Sequence, residues 1–185
     1  CASVQDNLTT ITSVNGFTYR TDDYSGTIDN TAQGVSNLGF ILDGIISTST
    51  DKDAFTFTLS QNTVFQLDAK PFSIDGNNTG ANLDIKVTLY DASGNVLRTY
   101  DPANSMRVTF DTSLAPGQYY FTVDGSGNQN TDSYGSLGSY KITGVMGSLP
   151  IHDVRLSGRV ENGRHNLQWN IISDETITEQ VLESS

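Results

Sequence analysis

Apolar side chains alternate with polar ones at a spacing close to two through most of this chain, and that alternation constrains the fold more than any other feature. Phe55, Phe57 and Leu59 are set against Thr56 and Thr58; Ile85, Val87 and Leu89 against Asp84, Lys86 and Thr88; Tyr119, Phe121 and Val123 against Tyr120 and Thr122. Successive side chains of a strand point to opposite faces, so each run buries one face and wets the other. Strands are predicted at Leu38–Thr48, Ala54–Ser60, Val64–Lys70, Leu83–Tyr90, Asn95–Tyr100, Met106–Thr112, Gln118–Asp124 and Gly138–Gly144. The breaks carry turn chemistry, as in Ala92-Ser93-Gly94-Asn95 and Ala115-Pro116-Gly117, and no window sustains a helical repeat. Short strands at this spacing predict an all-β, antiparallel β-sandwich of about eight strands, jelly-roll-like, with a partial second β unit.

Three segments are expected. Residues 1–34 form a polar lead-in, with extended pieces at Thr9–Val14 and Phe17–Arg20 on either side of an Asn15-Gly16 turn. Residues 35–147 form the sandwich. Residues 148–185 begin a further β unit: Ile151–Val160, an Asn162-Gly163 turn and His165–Ile172 read as a hairpin, followed by Ile177–Glu183. Three strands hold too little apolar surface to stand alone, so this unit either packs on the sandwich or belongs to a domain whose remainder is missing; the second reading is favoured. Trp169, in phase with Leu167 and Ile171, reads as core.

A net charge of -11, from 21 acidic and 10 basic residues, repels the phosphates that a nucleic-acid partner presents. No run approaches the ~20 apolar residues that span a bilayer. The single cysteine, Cys1, has no partner for an internal disulfide; it reads as an internal residue of a longer chain or, in a lower-ranked reading, as a lipoprotein start.

The residues supply no catalytic set. His152 and His165 lack the one-turn helical spacing of zinc ligands, and Gly135-Ser136-Leu137-Gly138 lacks the spacing of a nucleophile elbow. Carboxylates are numerous, but a chain of this size and class is not expected to form the deep cleft that glycoside hydrolysis uses.

Calcium takes six to eight oxygen ligands at adaptable geometry, which adjacent carboxylates can supply. Asp22-Asp23 lies in the lead-in and Asp51-Lys52-Asp53 just ahead of the Phe55 strand. Like charges this close repel unless a cation or hydrogen bonds offset them. Asp22, Asp23, Asp51 and Asp53 are therefore read either as calcium ligands or as solvated turn aspartates. Asp29-Asn30 follows Asp22-Asp23 in the lead-in, and Asp75 to Asn78 and Asp124 to Asp132 are looser candidates. Among the aromatics, Tyr119 and Tyr140 read as core by alternation. Tyr120 alternates outward and Tyr134 sits in a Gly/Ser-rich loop, so these two are the candidates for contacting a peptide or glycan.

The ordered set Gly44-Ile-Ile, Asp51-Lys-Asp53-Ala-Phe55-Thr-Phe57, Leu83-Asp84-Ile85, Leu89-Tyr90-Asp91-Ala-Ser-Gly94, Leu114-Ala-Pro-Gly117-Gln-Tyr119-Tyr120-Phe-Thr-Val123 and Gly138-Ser-Tyr140-Lys-Ile142 resembles the bacterial pre-peptidase C-terminal domain, also called the collagenase collagen-binding type. The lead-in Asp6-Asn7-Leu8 through Asp22-Asp23 resembles the junction that follows the catalytic domain of secreted reprolysin-like zinc metallopeptidases of Bacteroidetes-type bacteria. The segment from Leu149-Pro150 through Trp169 to Ser185 is similar to the fibronectin type III-like portion ahead of the sorting signal of type IX secretion cargo. This resemblance implies a secreted or surface-located accessory module, with a catalytic domain in cis. It also implies calcium held by Asp22, Asp23, Asp51 and Asp53, and a fibrous protein or cell-surface polymer as partner. A spacer or secretion aid with no ligand, and a surface adhesin or lipoprotein domain, stand as the alternatives.

Overall fold

The alternating runs pair into two large sheets and one two-stranded hairpin, seen in a computed structural model that describes residues 5–75, 79–128, 132–148 and 153–172. The strands are β1 (Gln33–Gly34), β2 (Phe40–Ile46), β3 (Lys52–Leu59), β4 (Thr63–Pro71), β5 (Ile85–Asp91), β6 (Val96–Tyr100), β7 (Val108–Leu114), β8 (Gly117–Gly125), β9 (Gly138–Ser148), β10 (Asp153–Glu161) and β11 (Arg164–Ile172). One sheet runs β1-β3-β8-β5-β6 and the other β2-β9-β4-β7. Pairing is antiparallel throughout, except that the two-residue β1 lies parallel to β3. The fold is thus the expected antiparallel β-sandwich.

Its core is aromatic. Phe55, Phe65, Phe121, Ile85 and Val87 are fully buried, and Tyr119 and Tyr140 join them as alternation predicts. Phe55 stacks on Phe121 at 4.9 Å between ring centroids, and Phe57 tilts against Phe65 at 4.8 Å. Offset aromatic pairs at these distances add about 0.5–1.5 kcal/mol each to the area they bury.

The lead-in departs from expectation. Asn7–Val14 is an α-helix, α1, instead of an extended piece, because the Asp6 carboxylate caps it by accepting the Thr9 amide. The Thr9, Thr12 and Ser13 hydroxyls are satisfied locally, on the Asp6 side chain and on helix carbonyls one turn back. Further on, residues 24–34 fold back onto the outer face of the first sheet. Ile28 and Ala32 pack there against Ala54, Tyr90 and Tyr120. Tyr120 does alternate away from the core, but it is covered and only 8 % exposed, which corrects the expectation that it faces solvent.

The β10–β11 hairpin forms around Asn162 and Gly163, both at positive φ, as the Asn-Gly turn predicts. Leu156, Val160 and Leu167 on one of its faces are exposed. His152, the Asn77-Asn78 pair, the Ile177–Glu183 strand and the side chains of Trp169 and Ile171 lie outside the described residues. Among the described residues, no helix is long and apolar enough to cross a membrane.

Candidate metal centre at the rim of the sandwich

The site forms where the lead-in meets the first residues of β3. Alternation places Asp53 on the same face as Phe55, so it points inward, and its side chain is fully buried. The lead-in approaches along the Ser25 carbonyl, which accepts the Ala54 amide at 2.8 Å, and this brings Asp22 and Asp23 over the end of β3. Carboxylate oxygens of Asp22, Asp23 and Asp53 lie within 4.8 Å of one another. Three of the four expected residues are thus together. The fourth, Asp51, lies outside that group; its Oδ2 accepts the Ser47 amide at 2.5 Å and closes the turn between β2 and β3.

Each carboxylate is aimed by a neighbour. The Tyr140 hydroxyl donates to Asp53 Oδ2 at 2.5 Å, the Ile45 amide donates to Asp23, and the Tyr24 amide donates to Asp22 Oδ1 at 3.3 Å. Tyr24 is in turn anchored, with its ring 5.0 Å from Phe55 and its hydroxyl on the Asp43 carbonyl. Tyr140 reaches Asp53 by crossing Gly44, where a Cβ would stand 2.3 Å from the tyrosine ring. Only glycine leaves room for that ring. This gives the Gly44 seen in the sequence a packing reason.

Electrostatics leave the cluster unbalanced. Burial, and after it the charges of Asp23, Asp51 and Asp22, push the Asp53 carboxyl up to about 8, against the Tyr140 hydrogen bond that lowers it. Burial also raises Asp23 and the Tyr140 phenol. Asp53 Oδ1 is buried and has no hydrogen-bond partner, although an unsatisfied buried oxygen ordinarily costs ~1–3 kcal/mol. No ion pair to Asp22, Asp23 or Asp53 occurs among the described residues. Three hard oxygen donors of adaptable geometry suit calcium in chemical type, and Asp53 Oδ1 is free to serve.

Of the other candidate aspartates, Asp29 accepts the Thr31 amide and hydroxyl, Asp75 accepts from Thr79, Asp124 pairs with Lys52 and Lys86, and Asp132 accepts the Tyr134 amide. Of the two tyrosines read as ligand contacts, Tyr120 is buried with its hydroxyl accepting from Gln118. The Tyr134 ring is at the surface, in a short 3-10 turn over Ser133–Gly135, and its hydroxyl donates to Asp6 Oδ1 at 2.6 Å and accepts the Leu8 amide. These bonds tie α1 to that turn. Asp6 is held down to about 2, first by the Thr9 hydroxyl and amide and then by Tyr134.

An aromatic-cored antiparallel sandwich with a carboxylate cluster at its rim is the class that the geometry defines. Residues 51–125, from the turn ahead of β3 to the end of β8, match the family described as bacterial pre-peptidase C-terminal domain. Two solved structures are similar at low identity. The pre-peptidase C-terminal domain of collagenase from Bacillus anthracis is 15 % identical, covering 69 % of this chain and 99 % of that one, with a TM-score of 0.46. PliG from Aeromonas hydrophila, a periplasmic inhibitor of g-type lysozyme, is 11 % identical over 62 % of this chain and 95 % of its own, with a TM-score of 0.45. No curated protein matches the chain.

Proposed function

We propose that this chain is a non-catalytic accessory module of a secreted bacterial metallopeptidase, which positions the catalytic domain or a polymeric substrate and is stabilised by calcium at Asp22, Asp23 and Asp53. The observation that carries the calcium reading is the buried Asp53 carboxylate, its Oδ1 without a hydrogen-bond partner, beside two further carboxylates from a separate segment. Both segments would be ligands to one ion, so binding would fasten the lead-in to the sandwich. The role as an accessory module is supported by the family match over residues 51–125. The parent is read as a reprolysin-like zinc enzyme, and residues 148–185 as the start of a fibronectin type III-like segment of type IX secretion cargo. A zinc-binding histidine motif in the residues that precede this chain in its parent would support the first; a peptidase of another class there would overturn it.

Thermal unfolding with calcium and with chelator tests the metal. A ligand at a hundred times its Kd stabilises by ~2.7 kcal/mol, which raises the melting temperature by several degrees. An identical transition in the two buffers would refute a structural ion.

A second reading, a spacer or secretion aid with no ligand, is favoured by the buried Tyr120 ring and the engaged Tyr134 hydroxyl. Deleting the module from the parent separates the two. Lost retention on a collagen or glycan matrix, with secretion unchanged, supports binding; lowered secretion with unchanged retention supports the spacer.

A further inference from the structure

Asp84 immediately precedes β5, between the turn at 101–106 and the loop that leads to the Ser133–Gly135 turn. Its backbone is held on three sides: its amide donates to Ser136 Oγ at 2.8 Å, and its carbonyl accepts from the Ser126 amide at 2.7 Å and from the Ser136 hydroxyl at 3.2 Å. Ser136 is itself buried. Its carbonyl passes so close to Gly125 that a Cβ there would clash with it, so glycine is what lets Ser136 sit over the strand end. A side chain on so fixed a frame is aimed.

What it aims is a carboxylate only 3 % exposed, with Oδ1 buried and without a partner. The Asn128 side chain hydrogen-bonds the carboxylate, while the nearby charge of Asp101 adds to burial in raising its pKa. Ser126 joins the two acids, since its amide is on the Asp84 carbonyl and its hydroxyl donates to Asp101 Oδ2 at 2.8 Å. No ion pair to Asp84 or Asp101 occurs among the described residues. Lys86, two residues on, is committed to Asp124 at 3.3 Å, which it shares with Lys52. Asp101 lies near enough for its charge to act on Asp84, Ser126 bonds to both residues, and among the described residues no cation is paired with either acid. An uncompensated buried carboxylate is expensive, and a hard cation is the ligand that relieves it while using the vacant Oδ1.

We propose that Asp84, Asp101 and the Ser126 hydroxyl form a second site for a divalent cation of the calcium class, which clamps Ser126, just after β8, to the start of β5. It is distinct from the Asp22/Asp23/Asp53 cluster. Asp53 is the second residue of β3 and Asp84 precedes β5, on either side of β8; Asp53 is level with Val123 and Val87, three residues beyond Asp84, so the two are separated by two strand spacings (~10 Å) across the sheet and by a further ~10 Å along it.

The test is a titration of the whole chain with calcium chloride, read as ions bound per chain by native mass spectrometry and calorimetry. Two ions are expected for the unaltered chain. D53N should leave one, D84N should leave the other, and D101N, at an exposed position that does not threaten folding, should weaken one binding step by about tenfold or more. A single ion that D53N removes and D84N does not would overturn this second site and leave the first standing. A single ion with the reverse response would do the opposite. If D84N does not fold, D101N decides: two ions bound with unchanged affinities would also overturn the proposal.

Discussion

The Tyr140 hydroxyl from β9 and the Asp53 carboxylate from β3 meet at 2.5 Å across the two sheets, so the last strand of the sandwich positions the innermost carboxylate of the rim cluster. One bond joins a packing residue to a charged one. Predictions about pH, cation and cavity therefore converge on this pair.

With chelator present, stability should fall as pH rises from about 4 to about 8. Burial raises the Asp53 carboxyl from 3.8 to about 8 in the fold, so over that window the folded chain holds a proton that the unfolded chain has released. The contribution is complete below the unfolded value and is lost as pH climbs through the folded one, with a slope of at most about 1.4 kcal/mol per pH unit. Melting temperatures from pH 4 to 8 check this. D53N should flatten the profile, and saturating calcium should restore stability at the upper end.

Tyr140→Phe should cost about 1–3 kcal/mol in urea unfolding, since it leaves a buried carboxylate with fewer donors. It should also extend the loss of stability to higher pH, because the Tyr140 hydrogen bond is what lowers the Asp53 carboxyl. A purely steric role for Tyr140 would leave the pH profile unchanged.

Gly44→Ala should destabilise by about 1–3 kcal/mol, because the new methyl would have to displace the Tyr140 ring. Calcium affinity should weaken with it if the tyrosine aims Asp53. Calorimetry on the folded variant reads that directly.

Phe121→Ala removes a fully buried ring that stacks on Phe55 and contacts Phe57 and Phe65. A loss of about 3–5 kcal/mol in denaturant titration is expected. By contrast, Tyr134→Phe should leave global stability nearly unchanged while speeding amide exchange at Leu8, whose amide the hydroxyl accepts.

Strands were legible because each reports one buried face with a period that no other structure produces. Phe55, Ile85 and Phe121 all lie inward. Helix α1 escaped because Asn7–Val14 is rich in Thr and Ser, which lower helix propensity; the readable signal was Asp6 three residues ahead of Thr9, a cap. Tyr120 shows the limit of alternation, which tells which face a side chain takes but not what later lies across it. Asp22, Asp23 and Asp53 could be picked out as adjacent charges, whereas Asp51, equally acidic, is taken up by the Ser47 amide. Asp84 stood in the motif Leu83-Asp84-Ile85 without a hint of its burial, since the covering serine is 52 residues away in sequence.

The segment running from Asp22 to Gly34 along the outer sheet also determines where pulling would be felt. Tension arriving from the N-terminal side meets Tyr24, lodged against Phe55, before it reaches β1 beside β3. Once the Tyr134 bonds to α1 have parted, peeling would have to begin at the acidic rim. Any ion seated there would work as a rivet, so the grip of this module on whatever precedes it would strengthen in calcium-rich surroundings and slacken where that ion is scarce.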